Sequence, residues 1–198
     1  MTRIVVISAG TSVPSSSRML GERLGEATAG ALEAAGAPAE VTQIELRTLA
    51  VDLAHHMATR VPGARLREAF ESVARADGVI AVTPVFNGSY SGLFKLFFDA
   101  LDESVLRDRP VLLGATGGTA RHSLVIEHAM LPLFYYLKAR VAPNPVFAAT
   151  KDWGSASGKL DRRITRAAEG FVPLVLAAPP PSSDDELEVV DFTDLLGG

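Results

Sequence analysis

Residues 79–102, VIAVTPVFNGSYSGLFKLFFDALD, decide how this chain is read. Val79 to Val82 make a continuous apolar run, the pattern of a strand covered on both faces. Thr83-Pro84 is expected to end that run, because proline lacks an N–H and restrains the residue before it. Val85-Phe86-Asn87-Gly88-Ser89-Tyr90-Ser91-Gly92 then reads as a loop. A helix follows, with Leu93, Phe97 and Leu101 on one face and Phe94 and Phe98 beside them. In an open parallel sheet, ligands sit at the carboxyl ends of the strands. The loop offers backbone N–H groups, a proline–aromatic wall and little bulk at Gly88, which suits a flat, hydrogen-bonding ring. It reads equally well as an ordinary strand–turn–helix connection.

Working toward the N-terminus, Arg3 to Ala9 form a β-branched run that predicts a first buried strand. The loop Gly10-Thr11-Ser12-Val13-Pro14-Ser15-Ser16-Ser17 follows, and then a helix marked by Leu20, Leu24, Ala27, Ala31 and Ala35. A helix start carries free N–H groups and partial positive charge, so a phosphate fits there. The hydroxyls of Thr11, Ser15, Ser16 and Ser17 add donors and Arg18 adds a charge. A serine that merely caps the helix would look the same. The loop matches neither a Walker A nor a G-x-G-x-x-G pattern. Val41 to Leu46 predicts a second strand and Leu66 to Ala74 a helix, with residues 47–63 undecided between helix and loop. His55 and His56 are adjacent, so they cannot share one metal as an i, i+4 pair would. They are assigned to the surface or an interface, and no metal site is expected.

Toward the C-terminus, Pro110 to Ala115 is another buried strand, ending in Thr116-Gly117-Gly118-Thr119-Ala120-Arg121-His122. Its paired glycines let a ligand approach the backbone closely. His122 can touch that ligand or serve only as a turn residue. Arg121 can hold an anionic substrate at the mouth or be a surface arginine paired with Glu127 or solvent. Leu124 to Ala139 predicts a helix that Pro132 kinks or divides. Val146 to Ala149 is a fifth strand, and Leu160 to Phe171 a last helix, broken or bent at Pro173. Five strands alternating with helices predict a parallel α/β sheet with right-handed crossovers. If the order is the flavodoxin-like 2-1-3-4-5, the loops after strands one, three and four surround one switch point. One can hold a phosphate while the other two flank a ring.

Length and composition narrow the function classes. The 198 residues are enough for one α/β domain. We divide the chain into residues 1–178 as that domain and 179–198 as a proline-rich, then acidic, tail. The chain has no cysteine, which removes disulfides, zinc–thiolate sites and thiol catalysis. Together with a start that leads straight into a strand, this predicts a cytoplasmic protein with no membrane association. The tail carries six acids (Asp184, Asp185, Glu186, Glu188, Asp191 and Asp194); taking them from the formal charge of −4 leaves +2 for the rest. A nearly neutral body gives no case for nucleic-acid binding. The tail is expected either to move freely or to dock through Leu187, Val189, Phe192 and Leu195.

The segments T-P-V-F-N-G-S-Y-S-G-L-F-K at 83–95 and A-T-G-G-T-A-R-H at 115–122 resemble the NADPH-dependent FMN reductase family. H-A-M-L-P-L-F-Y-Y-L-K-A at 128–139 and V-F-A-A-T at 146–150 continue the likeness, which covers about residues 3–170. The resemblance implies a flavodoxin-like fold, FMN at the switch point, and hydride transfer from NADPH or NADH to the flavin. Ser15, Ser16, Ser17 and Arg18, with Thr11, would hold the FMN phosphate. Pro84, Val85, Phe86, Asn87 and Gly88 would line the isoalloxazine, and Thr116, Gly117 and Gly118 its other edge. Apart from the resemblance, the lone cation beside Gly117-Gly118 makes Arg121, with His122 next to it, the candidate to meet the nicotinamide nucleotide. The cofactors carry such chemistry, so no side chain is expected as acid, base or nucleophile.

The resemblance also implies a homodimer or homotetramer and a flavin-dependent monooxygenase as a possible partner. Some relatives carry a π-bulge in the central helix, and Tyr90 stands near that place. Phe86, Tyr90, Phe94, Phe97 and Phe98 exceed what one helix can turn toward its own sheet, so an apolar patch is expected to need a partner subunit. Two rival functions keep the same fold: a quinone or azo reductase that retains FMN, and a flavodoxin-type electron carrier.

Overall fold

The computed structural model describes residues 1–154 and 158–180. Strand β1 spans Thr2–Ser8, helix α1 Ser16–Ala34 and strand β2 Ala39–Glu45. The undecided segment is helical: a 3-10 turn at Leu46–Leu49, then α2 over Ala50–Thr59 and α3 over Ala64–Ala74. Strand β3 runs Gly78–Phe86, β4 is Ser89–Tyr90 and α4 is Gly92–Ala100. Strand β5 covers Pro110–Gly117, α5 Leu131–Tyr136, β6 Arg140–Val141, β7 Val146–Ala149 and α6 Lys159–Ala177. The tail from residue 181, with its proposed docking residues, lies outside the described residues.

The parallel order is β2-β1-β3-β5, with β6 and β7 both beside β5. This is the expected 2-1-3-4-5 order with the fifth position filled by two short pieces. β6 pairs with the start of β5 and β7 with its end. Pro143 and Pro145 lie between them and cannot donate to a ladder, which accounts for the break.

Alternation along each strand divides the core into two layers. Ile4, Val6, Ile80, Val82 and Leu112 face α1 and α6, where Leu20, Leu24, Ile164 and Phe171 are buried. Val5, Ile7, Val79, Ala81 and Leu113 face the other helices, where Leu53, Leu66, Phe94, Phe97 and Phe134 are buried. A Cβ on Gly21 would stand 2.8 Å from Val6 Cγ1, so glycine lets α1 lie close on the sheet. That closeness brings the start of α1 to the carboxyl edge of β1.

Four expectations need correction. β3 continues through Thr83-Pro84 to Phe86 and turns back as a hairpin, with Val85 opposite Tyr90 and Phe86 opposite Ser89. Asn87 and Gly88 have φ of 50° and 84°, the backbone of a two-residue turn that Asn-Gly favours. Pro173 lies inside α6 without ending it. It is exposed, as is Glu169, so the carbonyl it leaves free can be hydrated. The central helix α4 is α-helical throughout, and the π-helical turn lies instead at Ile126–Met130. It directly precedes Pro132, whose ring would crowd the carbonyl of His128 in a regular helix.

The aromatic excess is also absorbed within the chain. Phe94, Phe97 and Phe98 are all buried, because α4 is flanked on both sides. Phe97 meets Phe70 of α3 at 5.6 Å, while Phe94 and Phe98 meet Phe134 of α5 at 6.1 and 5.0 Å. Phe86 remains exposed at the hairpin, and the other exposed aromatics among the described residues are Tyr135 and Tyr136 on α5. Truncating Phe134 to alanine removes the ring that locks α4 to α5. Urea denaturation should show a loss of about 3–5 kcal/mol; an unchanged midpoint would mean the aromatic cluster does not hold these helices.

Candidate functional site

Ala9 donates from its N–H to the Val82 carbonyl at 2.9 Å, the last link between β1 and β3 before the chain leaves the sheet. Gly10 follows, where a Cβ would fall 1.9 Å from Ser15 Oγ. Only glycine lets the loop fold back onto the helix start. Ser15 is buried and caps α1, its Oγ accepting from Arg18 N–H at 3.2 Å. The capping role foreseen for a serine is therefore real, and it belongs to Ser15. Ser16 and Ser17 occupy the first two helical positions, so their N–H groups have no acceptor within the helix. Ser16 is exposed. Ser17 is buried and its hydroxyl meets Thr116 Oγ1 at 2.7 Å, a side-chain bond that ties α1 to the end of β5.

A second anchor holds the hairpin. Thr83 is fully buried; its Oγ1 donates to the Pro84 carbonyl at 2.9 Å and accepts from Ser91 N–H at 3.0 Å. Ser91 in turn caps α4 through Phe94 N–H. The strand end and the helix start are thereby fixed together, with Pro84, Val85 and Phe86 held between them.

These elements enclose a cup of about 200 Å³ at the carboxyl edge of the sheet. Gly10, Thr11, Ser12 and Ser15 to Ser17 form one end; Pro84, Val85 and Phe86 form one wall. Thr116, Gly117 and Gly118 face that wall, and Ala148, Thr150 and Trp153 complete the lining. None of these side chains is ionisable near neutral pH. The volume is below the roughly 300–1,000 Å³ of pockets that enclose a small molecule. The cup therefore fits an end and an edge of a ligand, leaving a face open.

The structure gathers most of the expected residues here. Arg18 is not among them. Its guanidinium pairs with Glu22 at 2.7 Å and with Glu45 at 2.9 Å. The Glu22 hydrogen bond, then the charges of Glu45 and Glu22, hold Arg18 above its ordinary range. Asn87 and Gly88 stand at the hairpin tip, outside the cup lining. Arg121 and His122 are exposed on a 3-10 turn at Ala120–His122. Among the described residues, Arg121 pairs with no carboxylate, so the Glu127 pairing is not made. The His122 Cβ lies 3.6 Å from where a Gly117 Cβ would stand, placing it beside the glycine pair. Sequence reasoning missed Gly10, Ser12, Ala148, Thr150 and Trp153. The signal for Trp153 was present: it follows the fifth strand, beside the same switch point.

The floor of the cup is fastened from behind. Asp152 accepts from Ala149 N–H at 2.9 Å and pairs with Arg163 at 3.1 Å. Burial pushes its carboxyl upward, but the Ala149 N–H and Arg163 outweigh it and hold Asp152 below the ordinary carboxylate range. Its ionised form therefore stabilises the turn above the unfolded carboxylate range, and that contribution is lost as pH falls through the lower folded value.

A family model described as NADPH-dependent FMN reductase matches residues 2–154. The chain is 37% identical over 175 residues to an FMN reductase (NADPH) of Pseudomonas aeruginosa, covering 87% of this chain and 91% of that one. It has the same identity and coverage against an NADH-dependent FMN reductase of Pseudomonas fluorescens. Among solved structures, an oxidoreductase from Corynebacterium diphtheriae superposes with a TM-score of 0.86 at 44% identity, over 89% of this chain and 97% of that one.

The Ser17–Thr116 bond should couple the two sides of the cup. Thr116→Val leaves the buried Ser17 hydroxyl unpaired and should destabilise the chain by about 1–3 kcal/mol. Adding Ser17→Ala should recover part of that loss, measured as a coupling energy in a urea double-mutant cycle. Strict additivity would show that the bond does not join these elements.

Proposed function

The chain belongs to the NADPH-dependent FMN reductase family, and from that premise we propose that it transfers hydride from a reduced nicotinamide nucleotide to FMN at the cup. The observation that carries this reading is the cup's composition: donors at one end, a proline–aromatic wall at the other, and no ionisable lining side chain. The lining hydroxyls have no ionisable side chain in the cup to activate them, which supports a reactive group brought by a cofactor. FMN fits the donor set. Bound there, it supplies the hydride-accepting ring.

The protein's own contribution is placement. The N–H groups of Ser16 and Ser17, with the hydroxyls of Thr11 and Ser16, would hold the phosphate at the positive end of α1. Ser15 and Ser17 position that end through the cap and the Thr116 bond. Pro84, Val85 and Phe86 would border the isoalloxazine, with Asn87 and Gly88 beyond its rim, and Thr116, Gly117 and Gly118 would meet the opposite edge. N–H groups at this edge would stabilise negative charge gained by the ring. The open face admits the nicotinamide, and Arg121 and His122 would guide it. Arg18, engaged by Glu22 and Glu45 and outside the cup lining, is left out of this phosphate set.

Reduced flavin made here would be handed to a flavin-dependent monooxygenase, and the chain would work in the cytoplasm. Among the described residues, no helix is long and apolar enough to cross a membrane. The absence of cysteine is compatible with a reducing compartment. A homodimer or homotetramer would form on the face where Tyr90, Phe98, Leu133 and Tyr136 line a groove of about 510 Å³. The test of that face is Tyr90→Asp, which places a charge in the expected contact. Light scattering should show smaller species than wild type; an unchanged mass would remove this face from the assembly.

The function itself is tested by steady-state oxidation of NADPH and NADH with FMN, FAD and riboflavin. Wild type should turn over with FMN. Ser16→Ala should weaken FMN binding by about 1.5–3 kcal/mol, the range for a hydrogen bond to a charged group, and leave riboflavin binding unchanged. Equal loss for both flavins would sink the phosphate assignment. No flavin-dependent nucleotide oxidation by wild type would sink the activity.

A further inference from the structure

The segment Phe147 to Trp153 has two faces. Ala148, Thr150 and Trp153 line the cup, while Phe147, Lys151 and Asp152 face a second cleft of about 590 Å³. The far wall of that cleft is α6, which presents Lys159, Arg162, Arg163 and Arg166 at helical spacing on one side. Ala120 and Ser123, at the ends of the turn that carries Arg121, close the remaining edge. The cleft therefore begins where the glycine pair of the cup ends.

Its charge is far from balanced. Leaving Arg162 aside, Lys151, Lys159, Arg163 and Arg166 line it against the single lining carboxylate of Asp152, in a chain whose formal net charge is −4. Asp152 is already committed to Arg163 and the Ala149 N–H. Arg163 also donates to the Phe147 carbonyl at 2.6 Å, so this pair seals the outer edge of β7. Among the described residues, Lys151, Lys159 and Arg166 make no ion pair. They stand on opposing walls, Lys151 from the turn and Lys159 and Arg166 from the helix. An arrangement with like charges converging across an open cleft suits a compact polyanion.

We propose that this cleft binds the 2′-phosphate of the adenosine end of NADPH, making Lys151, Lys159 and Arg166 determinants of nucleotide choice. The inference rests on the hydride-transfer reading above. Relatives of equal identity to this chain are named for NADPH in one case and NADH in the other. Family membership therefore leaves the choice open, and local residues must decide it. The 2′-phosphate is the group that separates the two nucleotides, and a nearby cation is the usual means of accepting it. The cleft shares a wall with the cup, so a nucleotide whose nicotinamide lies at the open face can extend past Gly118 and Arg121 toward it. Binding there should weaken with added salt, because the cations are exposed.

The test titrates adenosine 2′,5′-bisphosphate, 5′-AMP and inorganic phosphate into the full chain with FMN added, by calorimetry. Wild type should bind the bisphosphate at least about tenfold more tightly than 5′-AMP or inorganic phosphate. Lys151→Gln/Arg166→Gln should abolish that difference. In steady-state assays the variant's NADPH KM should rise about tenfold relative to its NADH KM. Equal affinity for bisphosphate and 5′-AMP overturns the assignment, as does inorganic phosphate binding as tightly as the bisphosphate. Equal movement of both KM values also overturns it, as does a fall in FMN affinity in place of NADPH affinity. Failure of the underlying activity is seen separately, as no nucleotide oxidation by wild type, and the calorimetry still reads the cleft directly.

Discussion

A helix that starts at the carboxyl edge of a parallel sheet leaves N–H groups without acceptors, and the rest of this site is arranged around that constraint. In α1 the unfilled positions are Ser16 and Ser17. Their location depends on Gly21, which lets the helix approach β1, and on Gly10, which lets the loop fold over Ser15. The buried Ser17–Thr116 bond then transmits the position of α1 to β5. Each contact is local, yet together with the turn after β7 they bring segments from the ends of four strands to one cup.

In the proposed reading, the cup and the basic cleft would divide the recognition of two anions. At the cup, uncharged donors and a helix start would serve one phosphate; at the cleft, exposed lysines and arginines would serve another. These are physically different solutions. Backbone donors are fixed and cost little ordering entropy on binding, whereas long cationic side chains must be ordered and are screened by salt. The first suits a ligand held in one pose for chemistry, the second a handle remote from it.

Much of this was legible in the sequence. Runs such as Ile4 to Ile7 and Val79 to Val82 carry β-branched or apolar residues on both faces, which identifies central parallel strands without knowledge of their partners. The serine-rich helix start and the paired glycines at 117–118 reported the cup because their chemistry is local. The Asn87-Gly88 hairpin was also written in the chain, but the weight given to Pro84 as a strand end concealed it. Pro173 does not break α6, because its cost depends on which side of the helix it faces. Arg18 could not be read locally, since Glu45 meets it only once β2 lies beside β1. The burial of Phe94, Phe97 and Phe98 needed α3 and α5 on either side of α4. The basic cleft needed both the β7 turn and α6. In each case the missing information was a contact between distant segments.

The central claim is that this cup carries flavin reduction by a nicotinamide nucleotide, with no side chain reacting. It is tested most directly by an anaerobic titration of the chain and FMN with NADPH, followed by absorbance. The account predicts that FMN bleaches in proportion to nucleotide oxidised, one for one, and that the rate depends on the protein. Nucleotide that stays reduced while FMN stays oxidised would contradict it.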